Sequence, residues 1–237
     1  MMHRSAAVFV CLLLFTSALV ADEAKTYPDP ARFEKAIAKF ERADTVSPPP
    51  KGAVLGIGSS SMGGWHKTIK QDLEPLTIIP RGFGGSNMND VLHFADRVVL
   101  PYEPRAILLY EGDNDIAVGV TPQKVMETFE VLVAKVHAKL PKTRFYVLAV
   151  KPSIRRWEMW PKMAETNRLM QVRCAADERF TYIDIATPML NEKGEPKADI
   201  FKEDNLHMVR KGYEIWRDAV RPVLVTGEEA FELKRED

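Results

Sequence analysis

Five short, almost wholly apolar runs recur along the sequence, and stretches with helical periodicity separate them. Apolar runs of this kind are typical of strands buried on both faces, which occur in parallel sheets covered by helices. Right-handed crossovers then give a doubly wound domain, so the predicted fold class is α/β with a five-stranded parallel sheet. The predicted strands cover residues 53–57, 76–79, 106–110, 145–150 and 182–185.

Helical patterns are found before and between these runs. The clearest starts at Thr121, a capping residue that Pro122 follows at the first helical position. An earlier one places Phe33, Ile37 and Phe40 on a single face. The predicted helices cover residues 30–43, 121–140, 161–176 and 209–225.

The first 21 residues have the layout of a secretory signal peptide. Arg4 supplies a positive charge, residues 6–15 are apolar, and small residues lead to Ala21. The apolar run is shorter than the ~20 residues of a membrane-spanning helix. We therefore expect cleavage after Ala21 and a secreted or periplasmic protein, with an uncleaved N-terminal anchor as the alternative.

Domain boundaries follow from these patterns. Residues 22–50 are predicted to form an N-terminal helix and a proline-rich linker, and residues 51–225 the main domain. Residues 226–237 form a charged tail, which we expect to be solvated or frayed from Gly227 onwards.

Composition excludes several classes of protein. The chain has 237 residues, 46% hydrophobic and 28% charged, which is ordinary for a globular domain. Its 33 basic and 33 acidic residues balance, so nothing indicates a nucleic acid or an anionic membrane surface as partner. The chain has two cysteines, Cys11 and Cys174, and no Cys/His cluster with zinc-ligand spacing, so the sequence predicts no metal site. No second apolar run is long enough to cross a membrane.

Polar or glycine-rich segments follow all five predicted strands. In open parallel sheets, ligands and substrates bind at the carboxyl ends of the strands. Five such segments at one edge together indicate a site more strongly than any one of them does. The segments are residues 58–61, 81–87, 111–115, 151–157 and 204–207.

Ser60 and His207 are the candidate reactive residues. Ser60 follows a buried strand at the start of a helix, where its hydroxyl could be a nucleophile and its N–H an oxyanion donor. Asp204 precedes His207 by three residues, so its carboxylate could hold Nδ1–H and leave Nε2 as a general base. The alternatives are a helix cap for Ser60 and an incidental surface pair for the other two residues.

Gly85 and Asn114 are the candidate oxyanion donors beside the Ser60 N–H. A glycine lets a backbone N–H approach a substrate closely, and an asparagine supplies a side-chain amide. Ordinary turn chemistry is the alternative for both residues.

Two other glycine-containing motifs do not fit. Ser61 replaces the third glycine of a dinucleotide-binding fingerprint, which disfavours a nucleotide or flavin site. Met62 occupies the last glycine position of the Gly-x-Ser-x-Gly elbow of α/β-hydrolases.

Four of the segments, 58–61, 82–86, 112–115 and 204–207, resemble the ordered sequence blocks of the SGNH (GDSL) hydrolases. The first block, with Trp65 nearby, is similar to the subgroup that resembles platelet-activating-factor acetylhydrolase. The resemblance covers about residues 52–225. It implies a flavodoxin-like three-layer α/β/α fold with strand order 2-1-3-4-5.

The resemblance also implies hydrolysis of an ester or thioester through an acyl-serine, without a cofactor. Ser60 would be the nucleophile, His207 the base and Asp204 the residue that orients it. Gly85, Asn114 and the Ser60 N–H would form the oxyanion hole. Ser59 stands where many members have aspartate, a position outside the triad.

The segment 151–160 is the candidate substrate pocket. Its Trp157 and Trp160, with Arg155, could stack on a sugar ring or line an acyl pocket, or the tryptophans could simply cover the end of the sheet. We expect a small-molecule or carbohydrate ester as substrate, with a short acyl or acetyl group. An acyltransferase, a lysophospholipase or thioesterase, and a non-catalytic carbohydrate-binding module are the alternatives.

Overall fold

A computed structural model describes residues 26–233, so the predicted signal peptide lies outside the described residues. The sheet has five strands in the order β2-β1-β3-β4-β5, and all four pairings are parallel. Fold class and strand order are therefore as predicted. The strands are β1 (Val54–Gly58), β2 (Ile78–Gly82), β3 (Ala106–Tyr110), β4 (Arg144–Leu148) and β5 (Phe180–Ile183).

Strand β2 ends three residues later than predicted. Gly58 of β1 is paired with Gly82, so the pairing continues through Pro80 and Arg81. Pro80 is tolerated because β2 is an edge strand, where a missing N–H disrupts no pairing. Arg81 is buried, with ion pairing to Asp44, so a charged residue here belongs to the strand and not to the loop.

Helices cover both faces of the sheet, which gives three layers. One face packs against α1, α4, α6 and α7, with Ile37, Phe94 and Phe129 in its core. The other face packs against α2, α3 and α8 through Trp65 and Trp216. The helices are α1 (Glu34–Val46), α2 (Ser60–Trp65), α3 (Ile69–Asp72), α4 (Met88–Val98), α5 (Asp113–Ala117), α6 (Pro122–His137), α7 (Trp160–Ala175) and α8 (Arg210–Glu228).

The predicted tail is solvated only in part of its described residues: Glu229, Ala230 and Phe231 are exposed, but helix α8 continues through Gly227 to Glu228. Glu228 is fully buried and accepts hydrogen bonds from Arg144, Arg105 and Tyr146. A charge count misses this, because a carboxylate is buried readily when guanidinium partners compensate it.

No described helix combines the length and the apolar character that spanning a bilayer requires.

Candidate active site

Ser60 is the first residue of α2, directly beyond the end of β1. Gly58 ends that strand, and a Cβ built on Gly58 would lie 2.1 Å from the carbonyl oxygen of Tyr110. Only glycine therefore lets the ends of β1 and β3 approach this closely. The N–H of Ser59 bonds to the same carbonyl at 3.2 Å, which fixes the turn that presents Ser60 at the sheet edge.

The side chain of Ser60 is half-buried. Within residues 26–233 neither its hydroxyl nor its N–H has a hydrogen-bond partner. At the start of a helix, such an N–H is one of the groups that the helix itself leaves unpaired. Both groups are therefore available to a ligand, and the alternative role of Ser60 as a helix cap is not observed.

Asp204 and His207 form a close pair in the loop before α8. Nδ1 of His207 lies 2.6 Å from Oδ2 of Asp204, and Oδ1 of Asp204 accepts the N–H groups of His207 and Leu206. These bonds, first of all the one from the imidazole, lower the pKa of Asp204 well below its usual value. An ionised carboxylate can only accept, so the proton of a neutral His207 lies on Nδ1 and Nε2 carries a lone pair.

Two contacts hold the segment that follows Ser60 against the start of α8, the helix that follows the His207 loop. The hydroxyl of Tyr213, on α8, donates to the backbone oxygen of Ser61 at 3.1 Å. Arg210, three residues after His207, binds both carboxylate oxygens of Asp72 at 2.6 Å. The loop of His207 is thus tied to the segment that follows Ser60.

Asp72 also accepts a hydrogen bond from Nε1 of Trp65, at 2.7 Å, within the buried core of that face. The sequence indicates Trp65 only as part of the family resemblance and does not predict its hydrogen bond to Asp72. Its ring and its N–H connect α2 to the ion pair between Asp72 and Arg210.

The segment after β2 brings Gly85 to the same edge. The N–H of Phe83 bonds to the carbonyl of Gly58 at 2.8 Å, which anchors the segment beside Ser60. Gly85 has φ +89°, a left-handed conformation that favours glycine. A Cβ on Gly84 would lie 3.6 Å from Cβ of Ser60, and among the described residues the Gly85 N–H donates to no group.

Asn114 lies in the first turn of α5, after β3. Its Nδ2 donates to the backbone oxygen of Ser86 at 2.8 Å, so it is bound to the segment that carries Gly85. Its Oδ1 accepts from Nη1 of Arg156 at 3.0 Å. The sequence predicted Asn114 and missed Arg156, because two adjacent arginines in a loop look alike until their side chains are placed.

A buried group of charges lies behind Asn114. Asp113 accepts from Arg156 at 2.6 Å and from the fully buried Lys151 at 3.3 Å. Burial by itself raises the pKa of Asp113, but the two cations outweigh it and the net effect lowers that pKa. The carboxylate is therefore ionised and compensated.

Glu111 is a second buried acid at this edge. Burial, and secondly the charge of Asp115, raises its pKa well above the usual value. Ser86 donates to it at 2.6 Å, and the other carboxyl oxygen of Glu111 has no partner among residues 26–233. Burial thus favours the neutral form of Glu111 beside Ser86.

The predicted substrate pocket is only partly assembled. Trp157 and Trp160 stack on each other with ring centroids 5.7 Å apart, so each covers one face of the other. Trp160 also packs on the core and lines a cavity of about 240 Å³ with Tyr182. The side chain of Arg155 is exposed, while its N–H bonds to the carbonyl of Asn205, in the His207 loop.

Phe33 is a residue near the site that sequence reasoning did not place there. Its ring meets that of Phe83 edge to face at 5.2 Å, and its Cζ would lie 3.8 Å from a Cβ on Gly85. The helical periodicity had placed Phe33 on the apolar face of the N-terminal helix. No motif signalled that this face extends to Gly85.

In the part of the chain that the structure describes, no group of His, Cys, Asp and Glu side chains is arranged to hold a metal ion.

Comparison with known proteins identifies the family. The model of the GDSL-like lipase/acylhydrolase family matches residues 53–215. No curated protein sequence matches the chain. The chain belongs to the GDSL-like lipase/acylhydrolase family, and it is a carboxylic ester hydrolase.

Solved structures share the fold. A protein from Streptococcus pneumonia described as a platelet activating factor has a TM-score of 0.71 at 21% identity, over 81% of this chain and 92% of that one. A GDSL-like lipase from Bacteroides thetaiotaomicron has a TM-score of 0.66 at 17% identity, over 84% and 98%. A variant of an acetylxylan esterase from Geobacillus stearothermophilus has a TM-score of 0.58 at 14% identity, over 73% and 95%.

Proposed function

We propose that the protein is a secreted serine esterase that removes short acyl groups, acetyl above all, through a Ser60–His207–Asp204 triad. The observation that carries this proposal is the 2.6 Å contact between Asp204 and Nδ1 of His207. It sets the tautomer in which Nε2 can accept the proton of a serine hydroxyl.

The reaction follows from these groups. His207 takes the proton of Ser60 as the hydroxyl oxygen attacks the ester carbonyl. The N–H groups of Ser60 and Gly85 and the amide of Asn114 donate to the oxyanion of the tetrahedral intermediate. His207 then protonates the leaving alcohol, and water attacks the acyl-serine by the same steps in reverse.

Two observations favour a short acyl group. Phe33 and Phe83 pack together beside Gly85, which places aromatic bulk next to the proposed oxyanion hole. The acetylxylan esterase is among the structures that share this fold. Acetylated carbohydrate is therefore the first substrate to try. Trp157 and Trp160 would contact a sugar at the rim, because tryptophan rings stack on sugar rings.

The proposed location rests on the sequence. Residues 1–21 have the charge, the apolar run and the small residues of a signal peptide. Expression of the full chain, followed by N-terminal sequencing of the exported product, tests this. A start near Asp22 is expected, and an intact residue 1 in an exported protein would contradict cleavage.

The catalytic proposal is tested with p-nitrophenyl esters from acetate to palmitate, run beside acetylated oligosaccharides. We expect the acetate ester to be cleaved with the highest kcat/KM. Ser60→Ala should abolish hydrolysis while the melting temperature stays the same, and Ser47→Ala, on the exposed linker, should leave hydrolysis unchanged. A serine-directed phosphonate should label Ser60. Labelling of Ser59 or Ser61 instead would overturn the assignment.

A chelator gives an independent check. All proposed roles belong to side chains and backbone N–H groups of the chain, so EDTA should leave the rate unchanged. A loss of activity that a divalent ion restores would contradict the mechanism.

A further inference from the structure

The amide orientation of Asn114 is determined by its two partners. A guanidinium can only donate, so the atom that faces Arg156 is Oδ1; a backbone carbonyl can only accept, so the atom that faces the Ser86 oxygen is Nδ2. The amide nitrogen carries two hydrogens, and Ser86 accepts one of them. The second hydrogen is left for a ligand.

Ser86 and Arg156 act on the two ends of the Asn114 amide. Its terminal torsion is broad and roughly two-fold, so an amide held at neither end could turn over. Turned over, Oδ1 would face the Ser86 carbonyl and the NH₂ group would face the Arg156 guanidinium. Arg156 therefore adds a second constraint, and a charged one, to the constraint that Ser86 imposes.

Arg156 is itself held in place. The same Nη1 atom that donates to Asn114 also donates to Asp113 at 2.6 Å, and both acceptors lie in the first turn of α5. The Arg156 side chain is 17% exposed, and that of Asp113 6%. Lys151 shares Asp113 with Arg156, so two cations face one carboxylate behind Asn114.

The backbone beside Arg156 contacts the other half of the site. The N–H of Arg155 bonds to the carbonyl of Asn205 at 3.0 Å, in the loop between Asp204 and His207. Arg155 thus contacts the loop that carries the proposed base, His207, and the next residue, Arg156, contacts the proposed oxyanion donor, Asn114.

We propose that Arg156 is a positioning residue for ester hydrolysis: it fixes the amide of Asn114 so that Nδ2–H points at the developing oxyanion, and its charge strengthens that donor. This inference rests on the proposed function, because it acts through the proposed oxyanion hole. Arg156 need not touch the substrate.

The test is a double-mutant cycle on p-nitrophenyl acetate with Asn114→Ala, Arg156→Met and the combined variant. Arg156→Met should lower kcat by about 10- to 100-fold with little change in KM, the order of loss that a displaced catalytic group causes. In the Asn114→Ala background the same change should have almost no further effect, because residues that act as a unit are not additive.

Two more variants separate positioning from stability. Arg156→Lys keeps a charge and several donors, so it should recover part of the lost kcat. Arg168→Met, which removes an arginine from an exposed pair with Glu165, should leave kcat unchanged. Asp113 keeps Lys151 in Arg156→Met, so the fold should persist, and melting temperatures check this.

Additive effects in the cycle would overturn the inference, as would an Arg156→Met loss confined to KM. An Arg156→Lys variant as impaired as Arg156→Met would do the same. These outcomes differ from failure of the proposed function, in which wild-type protein and Ser60→Ala would hydrolyse the esters equally.

Discussion

Asp204 accepts two hydrogen bonds from His207 and one from Leu206: one carboxylate oxygen accepts the imidazole Nδ1–H, and the other accepts the backbone N–H groups of His207 and Leu206. One side chain therefore shapes the loop and orients the ring. Both side chains are more than a third exposed, at 40% for Asp204 and 36% for His207. We infer that the hydrogen-bond geometry of this pair, and not its burial, orients the His207 ring.

Asp204→Asn tests that pair. An amide can donate to Nδ1, which moves the imidazole proton to Nε2 and removes the lone pair that accepts from Ser60. We expect kcat to fall by about 10²- to 10⁴-fold, as in other triads. Glu203→Gln alters the neighbouring exposed carboxylate and is the matched control. Equal rates for wild type and Asp204→Asn would exclude this carboxylate from the mechanism.

Removal of the Asn114 amide should lower kcat more than it changes KM. One oxyanion donor contributes ~3 kcal/mol to transition-state stabilisation, so Asn114→Ala should lose ~10²-fold or more in kcat. Asn114→Asp should be slower still, because it sets a negative charge against the oxyanion. Steady-state kinetics on p-nitrophenyl acetate measure both. A change in KM alone would mean that Asn114 binds the ground state only.

Phe33→Ala should alter acyl-chain preference. Truncation of the ring opens space beside Gly85, so the ratio of kcat/KM for hexanoate over acetate should rise several-fold. Phe231→Ala, at an exposed ring on the C-terminal segment, is the control. An unchanged ratio would show that the acyl group lies elsewhere. Thermal unfolding should accompany the assay, since Phe33 also packs on Phe83.

His66 should make stability depend on pH. Its Nε2 accepts the N–H of Gly82 at 2.8 Å, and burial lowers its pKa to about 4. The unfolded chain, with a pKa near ~6.5, binds a proton more readily, so the free energy of unfolding falls as pH drops from about 6.5 to about 4. The two pKa values differ by about 2.5 units, so the loss attributable to His66 is about 3 kcal/mol.

His66→Gln keeps a hydrogen-bond acceptor for the Gly82 N–H, but the new side chain does not titrate. The free energy of unfolding should therefore depend less on pH in this variant. Denaturant titrations at pH 7, 5.5 and 4.5 measure it. His93→Gln, at an exposed histidine, should keep the wild-type slope. Parallel curves for wild type and His66→Gln would rule out the assignment.

Glu228→Gln should destabilise the fold without changing the chemistry. The change leaves Arg144 and Arg105 short of a buried counter-charge, which costs about 3 kcal/mol. We expect a lower urea midpoint and an unchanged kcat for the folded fraction. Glu229→Gln, next to it and exposed, should shift neither. A wild-type midpoint for Glu228→Gln would mean that the arginines find other partners.

Sequence patterns were sufficient to predict the fold because each strand contains apolar residues of a recognisable run and polar or glycine-rich segments follow these runs. Ser60, Gly85 and Asn114 come from segments that follow β1, β2 and β3, whose carboxyl ends lie at one edge of the sheet, and the pattern predicts that His207 lies at that edge too. Strand ends were less predictable: Pro80 and Arg81 resemble a turn, and only pairing with β1 shows that they continue the strand.

Contacts between side chains that lie far apart along the chain could not be predicted from the sequence. The sequence does not distinguish Arg155 from its neighbour Arg156. In the structure the backbone N–H of Arg155 bonds to the His207 loop, whereas the guanidinium of Arg156 donates to Asn114. Glu228 looks like part of a charged tail until Arg144, 84 residues away, is placed beside it. Such contacts depend on which helix crosses which strand.

Helix α8 connects the two ends of the sheet. Its first residue, Arg210, forms an ion pair with Asp72 close to the His207 loop. Its last residue, Glu228, accepts hydrogen bonds from Arg144 at the start of β4. They are the first and last of the 19 residues of the helix, which places them ~27 Å apart along its axis. Variation at the far end would therefore alter how much enzyme a cell accumulates, and variation at the near end how fast each molecule turns over. Selection could adjust abundance and turnover through opposite ends of one helix.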